Sequence, residues 1–298
     1  MKSSHNIFKY LIILLLLGGC SESTIDFGEQ YKKTIYIVDS KDMLYQDDFH
    51  YDKDNFITVS VYCASSEPIK SDTKVKLKLF PKALDSLNYL FSLGNPLYVD
   101  KQLLPSSNYK LPDLNVTIKA NQQYGTLNIP FYTEGLNPDT SYAFPLAIES
   151  NDKGYDINKE LSIIIVNIHM VNSYSGNYTG SSIELPNKTI KSVQPHTKAL
   201  SKNQIRIPIH NLSAETSDLE TNFMVLTIED SDTKSHNVKI SNWKNSNVTD
   251  LGASTFDSKK MLFDLNYSFT DVDGNEYTIH ENIRNTDVEI DDEDEEDA

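Results

Sequence analysis

Between Thr73 and Phe80 the chain reads TKVKLKLF, an unbroken two-residue alternation. Val75, Leu77 and Leu79 fall on one side of an extended backbone and Lys74, Lys76 and Lys78 on the other, which is the pattern of a strand with one buried and one solvated face. The same period returns at Ile205, Ile207 and Ile209, at Val238 and Ile240, and at Phe263, Leu265, Tyr267 and Phe269. A helix cannot bury such a set on one side, so the chain must pair strands over most of its length. The lysine stripe reads as a solvated strand face in preference to an anion site.

Further β-rich runs lie at Thr34–Val38, Phe56–Tyr62, Val116–Ile118, Gly125–Phe131, Tyr142–Ile148 and Phe223–Ile228. Leu161–Met170 is an apolar run too short to cross a bilayer as a helix, and it reads as a buried strand. The best helix candidate is Leu84–Leu93. Leu84, Leu87, Leu90 and Phe91 share one helical face there, and Gly94 and Pro96 end it. Leu136–Asp139 is a turn with Pro138 at its second central position. Asp273-Gly274 between two alternating runs predicts a hairpin of type I′. The same stretch lacks the later Glu of an EF-hand loop, so the turn is preferred to a calcium site. Composition turns polar after Asn172, around Gly176 and Gly180. The expected division is 34–171 for a first β domain and 172–288 for a second.

The two ends differ from the middle. Lys2 and Lys9 precede the apolar run Leu11–Leu17, which leads into Leu17-Gly18-Gly19-Cys20. Residues 1–19 read as a signal peptide and 20–33 as a tether. The pattern resembles the bacterial lipobox, which implies cleavage before Cys20 and lipid attachment to its sulfur. The expected location is therefore the outer membrane, lipid-anchored, at the cell surface. Residues 289–298 are almost wholly acidic and are expected to be a disordered tail.

The chain carries 43 acidic against 27 basic side chains, a net charge of −16. A nucleic-acid partner, which needs a basic footprint, is excluded on that ground. With two cysteines there is no disulfide framework. Cys63, in an apolar run with no nearby His, reads as a small buried hydrophobe.

A family resemblance rests on Leu104-Pro105-Ser106-Ser107-Asn108-Tyr109, Val116–Asn121, Gly125-Thr126-Leu127, Leu136-Asn137-Pro138 and Tyr142–Ile148. These segments are similar to a Bacteroidetes domain of unknown function at the N-terminus of surface lipoproteins from glycan-utilisation systems. The resemblance implies an immunoglobulin-like β-sandwich. Where the family usually has Gly, this chain has Asn121, the residue best able to replace it if the turn needs positive φ. Tyr174–Tyr178 and Phe263–Phe269 resemble the small β-barrel, or lipocalin-like domain, that often follows. The expected fold is all-β: an N-terminal immunoglobulin-like sandwich and a C-terminal small barrel.

Motifs for chemistry are sparse. The chain has no G-x-S-x-G elbow, P-loop, H-E-x-x-H or C-x-x-C. No two of its seven histidines stand three or four residues apart, so neither a metal pair nor a cofactor is expected. The expected role is a non-catalytic glycan-binding accessory, with a glycan and neighbouring uptake-system proteins as partners. A fimbrial or adhesive subunit and a divergent glycosidase are the alternatives. Trp243, the sole Trp, sits among Asn and Ser residues and is a candidate sugar platform or a side chain packed at the barrel rim. Tyr174 and Tyr178 are further candidates, as sugar contacts or as core.

Overall fold

The computed structural model describes residues 31–288. The signal segment, Cys20, most of the tether and the acidic tail lie outside the described residues. The first domain contains β1 (Thr34–Ile37), β2 (Leu44–His50), β3 (Asn55–Ala64), β4 (Thr73–Leu79), α1 (Pro81–Gly94), β5 (Gln102–Leu103), β6 (Asn115–Ile118), β7 (Tyr124–Phe131), β8 (Tyr142–Asn151), β9 (Asp156–Ile157) and β10 (Ile163–Val171). They form two sheets, ordered β7-β3-β1-β9 and β2-β10-β8-β4-β6, with β5 pairing onto β8. The inward residues of both sheets, among them Ile35, Val61, Leu77, Phe144 and Val166, make one apolar core. β1–β9, β2–β10 and β5–β8 pair in parallel, and the other pairs are antiparallel.

The alternating β4 behaves as its pattern requires: Val75 and Leu77 are buried, and Lys76 reaches across to Glu149 at 2.8 Å. Cys63 is buried, and burial pushes its thiol up. The resembling segments also acquire physical reasons. Asn108 is buried, and its Nδ2 donates to the carbonyls of Tyr132 and Glu134. Asn121 stands at φ +63°, a conformation that Asn tolerates better than most residues.

Helix α1 differs from expectation. Pro81 starts it at the first helical position, where its missing N–H is no loss. Ala83, Leu84 and Leu87 pack against Ala143 and Ile165 on the outer face of the second sheet. Leu90 and Phe91, expected on that buried face, are instead exposed, Leu90 to 56 %. The turn near Pro138 also shifts by one residue: Asn137 O accepts from Thr140 N, so Pro138 is its first central residue and Asp139 its second.

The second domain comprises β11 (Gly176–Leu185), β12 (Thr189–Val193), β13 (His196–Ser201), β14 (Gln204–Pro208), β15 (Phe223–Ile228), β16 (Ser235–Asn242), β17 (Val248–Asp250), β18 (Thr255–Asp257), β19 (Leu262–Thr270) and β20 (Glu276–Asn285). β12 and β13 run along β11 in one continuous register, Gly180↔Val193 and Gly176↔Thr197, broken only at Gln194-Pro195. From β13 the sheet passes through β14, β15, β16, β18 and β19 to β20, which pairs back onto β11 and closes an eight-stranded barrel. Gly180 permits that closure, because a Cβ there would overlap the Asn282 carbonyl oxygen. The interior is filled by side chains such as Tyr178, Phe256, Phe263 and Tyr267. β19 and β20 form the hairpin expected at Asp273-Gly274, but the loop spans residues 271–275. Only Gly274 takes positive φ, while Asp271 Oδ1 accepts from the N–H groups of Asp273 and Asn275, so this is not a type I′ turn.

Candidate functional site

Between the domains lies a cleft of about 1080 Å³, walled by β2, β10 and the Pro138 turn on one side and by β11–β14 on the other. Strand register aims its polar groups. The parallel pairing of β2 and β10 sets Asp48 opposite His169, and His169 Nδ1 lies 2.8 Å from Asp48 Oδ1. On the barrel side Asn177 and His196 are cross-strand partners, with Asn177 Oδ1 2.9 Å from His196 Nδ1. Asn177 also donates to Asp287 through its backbone N (2.7 Å) and its Nδ2 (3.0 Å). Gly176, at φ +143°, leaves room for this, since a Cβ there would sit 2.6 Å from Asp287 Oδ2.

The charges in the cleft are shaped by these contacts. The Asn177 side chain, then its backbone N–H, holds the Asp287 carboxyl below its ordinary range. Burial, and then the nearby His169, favours neutral His196. Burial also lowers Lys198, partly offset by Asp139. At the sandwich edge Lys101 Nζ donates to Ser141 Oγ (2.9 Å) and Asn167 Oδ1 (2.8 Å).

Arg206 stands at the back of the cleft. It is only 5 % exposed, and its Nη1 lies 2.7 Å from Asp139 Oδ1, off the line of the N–H bond. Its guanidinium rests over the rings of Phe223 (5.1 Å) and Trp243 (4.7 Å). His210 lines the cleft too; its Nδ1 lies 2.6 Å from Ser182 Oγ and its Nε2 3.1 Å from Glu184 Oε1. Ser182 is fully buried and does not line the cleft, so this row braces the barrel. Among the described residues no group of three or more His, Cys, Asp and Glu is placed to hold a metal ion.

Of the three sequence-derived ring candidates, Tyr174 and Tyr178 meet in one aromatic cluster of the barrel through Phe256 and Phe263, and Trp243 stands outside that cluster. Trp243 is half-buried at the barrel rim, in a turn where its backbone N–H donates to Ser246 Oγ, and its ring covers Arg206. Tyr178 is 2 % exposed, packs on Phe263, and gives its OH to the Tyr174 carbonyl. Burial pushes its phenol up to about 12. A sugar platform needs an open ring face, and Tyr178 has none. Tyr174 packs edge-on against Phe256 at 5.2 Å. The cleft residues were missed because they come from positions 48 to 287, and no local spacing joins them. Phe91 and Tyr98 were missed as a surface ring pair. The one available signal was that residues 89–99 carry more apolar side chains than α1 can bury.

Residues 31–154 match a family model described as an N-terminal domain, and residues 162–284 match one described as C-terminal. The chain belongs to the two-domain family that these models describe. The second model takes in β10, although that strand pairs within the sandwich. Among solved structures, a multidomain protein including DUF1735 from Bacteroides ovatus is similar at 16 % identity and a TM-score of 0.62, over 89 % of this chain and 99 % of that one. A Bacteroides ovatus protein of unknown function gives 15 %, 0.61, 87 % and 98 %. An auxiliary nutrient-binding protein from Bacteroides thetaiotaomicron gives 15 %, 0.52, 82 % and 89 %. At such identities the likeness is one of fold. No curated protein matches the chain.

Proposed function

We propose that the chain is a non-catalytic, lipid-anchored surface protein that binds glycan in the interdomain cleft as an accessory of an outer-membrane polysaccharide-utilisation system. The observation that carries this reading is the cleft, where amides, imidazoles and hydroxyls from both domains face one space. Such groups suit a ligand covered in hydroxyls. Its carboxylates are engaged: Asp48 with His169, Asp139 with Arg206 and Asp287 with Asn177. That arrangement orients acceptors toward the hydroxyls of a bound ligand. The fold shared with a nutrient-binding protein and the Leu17–Cys20 pattern support the same reading.

The test is calorimetric titration of oligosaccharides into the protein and into Asp48→Ala/His169→Ala. That pair is half exposed, so its loss costs little stability. The expected result is saturable binding by the wild type and a loss of about tenfold or more in the variant. Equal binding by both, or none by the wild type across neutral and acidic sugars, overturns the proposal.

A further inference from the structure

Residues 86–99 contain no charged side chain, in a chain that is 23 % charged. They form the second half of α1 and the loop after it. This segment leaves Tyr89, Leu90, Phe91, Leu93, Leu97 and Val99 exposed, Leu97 to 87 % and Val99 to 71 %. Exposed apolar surface on this scale marks a contact site more often than chance. The surface is also ordered. Phe91 and Tyr98 lie 5.4 Å apart between ring centroids. Asn88 pins the loop to the helix, accepting from Tyr98 OH (2.9 Å) and Lys101 N (3.1 Å) and donating to Lys101 O (2.9 Å).

We propose that Phe91 and Tyr98 form a stacking shelf for a neutral polysaccharide that continues into the interdomain cleft. This rests on the glycan reading of that cleft and extends it from a short ligand to a polymer. Three observations favour this occupant. Val99 follows the shelf directly and itself lines the cleft, so one chain of sugar rings can lie across both. Aromatic faces held in place suit the C–H faces of pyranose rings and need little ordering on binding. The absence of charge across residues 86–99, on a protein of net charge −16, matches an uncharged polymer and opposes a polyanionic one. The shelf also lies toward the barrel end of the sandwich, where Gln102 pairs with Tyr142, while Thr34 pairs with Asp156 at the other end of the domain. It therefore points away from the side on which the N-terminal segment enters.

The test compares wild type, Phe91→Ala as the shelf variant and Asp48→Ala/His169→Ala as the cleft variant. The probes are dextran, laminarin, yeast mannan and xyloglucan, their tri- and tetrasaccharides, and polygalacturonate as the polyanion. Affinity electrophoresis and calorimetry read binding, and sedimentation reads oligomeric state. The shelf variant should lose about tenfold or more for a neutral polymer and little for its short oligosaccharides, with melting temperature held within a few degrees. The cleft variant should lose both. Unchanged polymer binding by the shelf variant overturns the shelf and leaves the cleft standing. Loss in the shelf variant alone overturns the cleft and leaves the shelf. Preference for polygalacturonate, a wild-type dimer that the shelf variant dissolves, or no binding to any probe overturns the shelf proposal.

Discussion

Arg206 Nη1 of the barrel lies 2.7 Å from Asp139 Oδ1 of the sandwich, with Arg206 buried and Asp139 partly buried between the domains. Asp139 reaches this place because the Asn137–Thr140 turn presents it, and Arg206 because β14 turns its alternate side chains away from the barrel interior. Arg206→Ala should cost about 3 kcal/mol, because it strands the Asp139 carboxylate. Arg206→Met, which keeps bulk between Phe223 and Trp243, should cost less. Equilibrium denaturation measures both. A cost below about 1 kcal/mol for the alanine would mean the pair contributes little, as an exposed pair does.

Trp243 covers that guanidinium, so its removal should act on stability. Trp243→Ala should cost about 2 kcal/mol, less than a fully buried Trp, because the ring is half-buried. In a double-mutant cycle with Arg206→Ala the two losses should fall short of additive. Additive losses would show that the stacking carries no energy, and lost glycan binding without lost stability would restore the indole as a sugar platform.

Glu281 gives a pH dependence whose sign can be worked out. It is fully buried in the barrel, where Oε2 accepts from Tyr267 OH at 2.6 Å and Oε1 has no protein partner. Burial raises its pKa from 4.5 to about 7, against smaller opposing effects of the Tyr267 and Ser182 hydrogen bonds. The folded protein thus holds this proton more tightly than the unfolded chain. Its contribution is fully present below the unfolded value and is lost as pH rises through the folded one. Glu281→Gln should remove that slope and be the more stable form at pH 8, by on the order of 2–3 kcal/mol relative to the difference at pH 4. Urea denaturation of both proteins from pH 4 to 8 reads this directly, and parallel curves would refute it.

Gly180 and Gly252 separate two reasons for glycine. Gly180→Ala drives a methyl into the Asn282 carbonyl where β11 meets β20, and should cost more than about 2 kcal/mol by opening the closing seam. Gly252, at φ +78° with no neighbour within 4 Å, should cost only about 1 kcal/mol on the same change. Thermal melts of the two variants should rank them in that order. The reverse order would contradict the close approach.

Membrane attachment is open to a direct experiment on Cys20. Cys20→Ala should leave the protein unprocessed or soluble, whereas the natural chain should partition into detergent and take up labelled fatty acid. Full partition of the variant as a processed protein would rule out a lipid on that thiol.

Much of the fold was legible because period-two alternation reports a local fact, the two unlike faces of a strand, and β4 and β19 display it in sequence and in space. The helix was half legible. Its existence follows from spacing, but Leu90 and Phe91 are exposed because α1 runs past the residues it packs on, which no spacing encodes. The hairpin at Asp273-Gly274 was legible, and its loop was not, because Asp271 captures two backbone N–H groups and lengthens it. The cleft was hidden for a different reason. Asp48, Asp139, His169, His196 and Asp287 are ordinary polar residues on separate elements, and only the packing of two domains gives them a common address.

The parallel pairing of β2 with β10 has a mechanical consequence. β2 stands near the start of the sandwich and β10 is its last strand, leading straight into the barrel. A pull applied between the leading end of β2 and the barrel drags the two strands past each other lengthwise. Their seven register pairs, Leu44↔Ile165 through His50↔Val171, are then loaded in shear and must fail together, where a zipper-like geometry would let them open in succession. A sandwich held at β2 and tugged at the barrel is in this way braced against being stretched open.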